Sequence, residues 1–93
     1  MGPDPEAIAG VILDLVRARG VGKSICPSEA ARRIDPKDWR ALMPAVRAVA
    51  QDLAAQGHIA VTQKGHPVDP AKARGPIRLA FVQDLRNDPA GLA

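Results

Sequence analysis

The chain has 93 residues, a net charge of +3 and a pI near 9.6, with 46% apolar residues. That is one domain's length, able to bury about 60–65% of its unfolded surface in a single modest core. One cysteine excludes an internal disulfide and fits a reducing cytoplasm, and no apolar run approaches the ~18 residues of a membrane span.

The start, "MGPDPEAIAG", is acidic and lacks the basic region of a signal peptide. Glu6 stands where a myristoylation signal requires Ser or Thr. Residues 5–19 predict a first helix. Ile8, Val11, Ile12, Leu15 and Val16 recur at helical spacing, Asp4 caps, Pro5 suits the first turn, and Gly20 and Gly22 end it. "KSI" at 23–25 is long enough only for a brief sheet edge. Pro27 opens a second helix to about Ile34, with Ala30, Ala31 and Ile34 inward and Arg32 and Arg33 outward.

"DP" at 35–36 resets the chain, because a residue before proline avoids helical geometry. From Pro36 the pattern is amphipathic. Trp39, Leu42, Met43, Val46, Val49, Ala50 and Leu53 share one face. The phase survives Pro44, which predicts either a kinked helix or a short helix running into a longer one near Pro44. Gly57 stops it. "HIAVTQ" (58–63) and "PIRLAF" (76–81) alternate, with Ile59, Val61, Ile77, Leu79 and Phe81 inward. They predict two antiparallel strands joined by a long basic loop, "KGHPVDPAKARG".

The expected fold class is therefore mainly α with a small antiparallel β-hairpin, in the order of a winged helix-turn-helix. Residues 1–82 form the domain, and 83–93 are expected to be a disordered tail. "KSICPSEAAR", "DWRALMPAVR", "TQKGHPVD" and "RGPIRL" resemble, in order, a family of small bacterial proteins of unknown function with a winged-helix-like fold. The resemblance covers roughly residues 8–80. It implies no catalytic or binding residues. The resemblance implies an N-terminal cysteine-rich, zinc-ribbon-like module in some members; residues 1–93 hold one cysteine, so no such metal role is expected of them.

Cys26 precedes Pro27, with Glu29 three residues on, which is capping-box spacing. A helix N-terminus can also lower a thiol pKa, so a nucleophile is the competing assignment; no histidine lies near it in sequence. Cys26, His58 and His66 have no metal-ligand spacing, so neither a metal nor a cofactor is expected. An enzyme is the weakest expectation.

Opposite the apolar stripe of the third helix lie Arg40, Pro44, Arg47 and Gln51. In a winged helix that face can enter the DNA major groove, where Arg reads guanine and Gln reads adenine. Its alternative is a solvated face, and Ala48, Ala54 and Ala55 offer nothing to a base edge. Residues 58–82 carry Lys64, Lys72, Arg74 and Arg78 against Asp69. Lys64, His66, Lys72 and Arg74 suit phosphate contact from a projecting loop. Trp39 is expected as a core plug between helices, and the scarcity of aromatics disfavours base-stacking on RNA. Two functions stay open: a double-stranded DNA-binding protein, expected to be a regulator or accessory factor, and a protein–protein interaction module, which the alanine-rich third helix also suits.

Overall fold

The computed structural model describes residues 4–20, 22–70 and 72–82. The predicted tail at 83–93 lies outside the described residues. Three helices pack on a four-stranded antiparallel sheet whose first strand lies between the first two helices in the chain, a mixed α/β architecture.

Helix α1 is Pro5–Arg19. Asp4 accepts a hydrogen bond from the Glu6 N–H at 3.1 Å, satisfying one of the donors a helix start leaves open. Ile8, Ile12 and Val16 are its buried stripe. Strand β1 is Ser24–Ile25 and helix α2 is Pro27–Ile34. Ala30 and Ala31 of α2 are fully buried, small enough to let α2 lie close against its neighbours.

Helix α3 is Trp39–Ala55, one continuous helix with Pro44 inside it. Proline there removes a donor to the Arg40 carbonyl, and packing outweighs that cost: Val46, Val49, Ala50 and Leu53 are buried. Trp39, Leu42 and Met43 are only partly buried, packed on the rim of the core. The helix ends in a Schellman arrangement. The His58 N–H donates to the Leu53 carbonyl at 2.9 Å and the Gly57 N–H to Ala54 at 3.0 Å. Gly57 takes φ 84°, the left-handed region that glycine enters without a side-chain clash.

The sheet order is β1-β4-β2-β3, with β2 Ile59–Gln63, β3 His66–Pro67 and β4 Arg78–Phe81. The pairing Ile59↔Phe81, Val61↔Leu79 places the predicted inward residues on one face. Ile59, Val61, Ile77 and Leu79 are all buried against the helices. The sheet is larger than the two-stranded hairpin expected from sequence. Ser24–Ile25 adds to β4, through Ile25↔Leu79. His66–Pro67 folds straight back on β2 because Lys64 and Gly65 both take positive φ, 53° and 83°. Two consecutive positive values are the signature of a type I′ turn, whose twist matches paired strands. The long basic loop therefore begins as a tight hairpin, and the described residues 68–70 and 72–77 lie outside the strands.

Candidate nucleic-acid interface

The arginines of the chain divide by what their guanidinium groups hold. Arg19 donates to the Ser24 carbonyl at 3.0 Å and pairs with Glu29 at 2.8 Å. Arg78 donates to the Ser24 hydroxyl and to the same carbonyl, both at 2.9 Å. These two arginines fasten β1 to α1, α2 and β4, a useful anchor for a strand of two residues.

Arg47 projects from the middle of α3 onto the loop that joins β3 to β4. Its Nη1 donates to the Ala73 carbonyl at 2.8 Å and reaches the Pro70 carbonyl at 3.4 Å, and its Nη2 donates to the Gly75 carbonyl at 2.6 Å. A planar fork with five fixed donors suits three carbonyls gathered on one side of a loop. The loop is held from its other side by Gln63, whose side-chain amide donates to the Arg74 carbonyl and, at 3.2 Å, to Pro76. Its bend is closed locally, where the Lys72 and Ala73 N–H groups donate to the Asp69 carbonyl. The loop is thus tied to both α3 and β2.

Arg47 was expected to face DNA in the major groove; its donors are instead directed at the loop. The other expected residues are exposed, but they are not gathered at one point. Lys72 and Arg74 ride on the tied loop. Lys64 forms the hairpin turn, and His66 is in β3 beside it. Gln51 lies on α3 along an open groove of about 450 Å³ lined by Met43, Pro44, Arg47, Ala48, Gln51 and Pro70. Arg40 lies over the ring of Trp39, its guanidinium carbon 4.6 Å from the ring centroid. Arg32, from α2, lies over the same ring at 4.4 Å. Sequence reasoning passed over Arg32. Its spacing places it outward on α2, but nothing local links it to a tryptophan on another helix.

Among the described residues, Arg19–Glu29 is the ion pair present. Lys64, Lys72, Arg74, Arg40 and Arg32 have no carboxylate partner there. Cys26 is half-buried at the N-cap of α2. Its N–H donates to Glu29 Oε2 at 2.8 Å, the reach-back bond of a capping box, and the Ser28 hydroxyl donates to its Sγ at 3.1 Å. No described helix is long and apolar enough to cross a membrane.

Three helices on a four-stranded antiparallel sheet, with a basic loop riveted to the third helix, define a small α/β domain in which Arg32, Arg40, Lys64, Lys72 and Arg74 have no ion-pair partner among the described residues. The chain belongs to the family described as protein of unknown function (DUF3253), whose profile matches residues 5–82. No curated protein matches the chain.

Proposed function

We propose that this is a winged-helix domain that binds duplex DNA chiefly through its phosphate backbone. The observation that carries the proposal is the Arg47 clamp. By holding the carbonyls of Ala73 and Gly75, it fixes a loop bearing Lys72 and Arg74 against α3. Cations on a fixed loop lose little conformational freedom on contact, so more of their attraction to phosphate remains as affinity. The adjoining hairpin offers Lys64 and His66.

Sequence discrimination is expected to be weak. Arg47 is spent on the loop and Arg40 lies over the Trp39 ring; of the remaining exposed residues Pro44, Ala48 and Gln51 on this face of α3, Gln51 is the one that can pair with a base edge. An NMR titration with a random duplex at low salt tests the proposal. Amide shifts are expected at residues 64–66, 72–75 and 40–51, and they should vanish as salt rises. A spectrum that does not move at low salt contradicts it.

The groove along α3 favours a second reading, a protein-interaction module. Met43, Pro44, Ala48 and Pro70 give it an apolar lining. Its signature is association that salt does not weaken, with shifts confined to those residues.

A further inference from the structure

We infer that Arg32 and Arg40, held on the ring of Trp39, form a second phosphate contact at the junction of α2 and α3. The assignment rests on duplex binding as proposed above and extends its footprint beyond the loop. The two guanidinium carbons lie 4.4 and 4.6 Å from the ring centroid. A guanidinium attracted to an aromatic ring in this way has its position fixed by the ring, without spending an N–H on a hydrogen bond. Arg19, Arg47 and Arg78 spend theirs on carbonyl, hydroxyl or carboxylate oxygens. Among the described residues, Arg32 and Arg40 have neither a hydrogen-bond acceptor nor an ion-pair partner.

Two acids, Asp35 and Asp38, lie between them in sequence, and among the described residues neither forms an ion pair with Arg32 or Arg40. Asp35 accepts from the backbone N–H groups of Lys37 and Asp38, both at 3.1 Å, so its carboxylate closes its own turn. Two like charges are therefore gathered on one ring with free donor forks. That arrangement is relieved by an anion with several acceptor oxygens, and the phosphodiester suits the fork. Arg40 also lies two helical turns before Arg47, about 10 Å along the α3 axis, so this corner and the clamped loop are spaced along one helix. With its ring already attended by two cations, Trp39 is a poor platform for a base, which points to phosphate rather than to stacking.

Trp39 is the only tryptophan, so its emission reports on this corner. The experiment titrates the full chain with a fluorescently labelled 20-base-pair duplex, recording label anisotropy and, in parallel with unlabelled duplex, Trp39 emission. The emission is expected to change with the same midpoint as anisotropy and to revert with salt. In Arg32→Ala/Arg40→Ala the slope of log K against log[salt] should fall by about 2, at roughly 0.9 per phosphate lost. Arg32→Lys/Arg40→Lys keeps both charges and should retain the wild-type slope. Should alanine unfold the corner, Arg32→Gln/Arg40→Gln retains part of each aliphatic stem and replaces it in the slope comparison. Duplex binding with unmoved Trp39 emission, or with a wild-type slope in the neutral double variant, overturns this site and leaves the loop proposal standing. No anisotropy change at low salt overturns both.

Discussion

The guanidinium of Arg47 lies 2.8 Å from the carbonyl oxygen of Ala73, 26 residues further along the chain. That bond, with its neighbours to Pro70 and Gly75, ties an irregular segment carrying Lys72 and Arg74 to the surface of α3. It also changes what Arg47 can do. A side chain that looks like a base reader on a helical wheel is a positioning residue for the loop.

Arg47→Ala should therefore act on the loop before the core. Several charge-assisted bonds are lost from a half-buried group, and about 1–2 kcal/mol of stability is expected to go with them. Urea unfolding measures the total. Amide hydrogen exchange should rise for residues 70–76 while the protected positions of α1 and α3 keep their order. Arg47→Lys keeps the charge without the fork and should recover only part of the loss.

Pro44→Ala should raise stability. It restores an N–H facing the Arg40 carbonyl and removes a ring from a helix interior, at a position already exposed. A gain of about 1–3 kcal/mol is expected, read as a higher melting temperature. A loss instead would mean that Pro44 packs into its surroundings more than its exposure indicates.

Cys26 is tested by serine. The structure gives it the N-cap of α2, with Glu29 reaching back to its N–H. Serine caps at least as well as cysteine, so Cys26→Ser should change stability by less than about 1 kcal/mol. Glu29→Ala loses both the cap bond and the partner of Arg19, and should cost about 1–2 kcal/mol. Paired thermal melts separate the two. A large loss in Cys26→Ser would contradict the capping role.

Leu79 sits on β4 between Ile25 and Val61 with none of its surface exposed. Leu79→Ala should cost about 3 kcal/mol through lost burial and the cavity left behind. In a domain of this size that is a large share of the total, so the variant should be partly unfolded near physiological temperature.

Much of this architecture was legible in the chain. Period-two alternation fixed which residues of 59–61 and 77–79 face inward, because a slip of one position would expose all of them. The helix stripes were legible for the same reason at period 3.6. Strands β1 and β3 were harder to read, since two residues show no period. Lys64-Gly65 was a turn signal that the length of the basic segment obscured. The site was less legible still. A wheel places Arg47 on a face but says nothing about a carbonyl 26 residues away, and Arg32 and Trp39 meet only once α2 packs on α3. The helix through Pro44 was open in sequence because local propensity and burial disagreed, and burial prevailed.

The measurement that bears most directly on duplex binding is the salt dependence of affinity for wild type and Lys64→Ala/Lys72→Ala/Arg74→Ala, followed by anisotropy of a labelled random duplex. Wild-type affinity should fall steeply with salt, and the triple variant's slope should be shallower by about 2–3, at roughly 0.9 per phosphate released. No binding at low salt, or binding whose slope is the same in both proteins, would contradict a phosphate interface on the clamped loop.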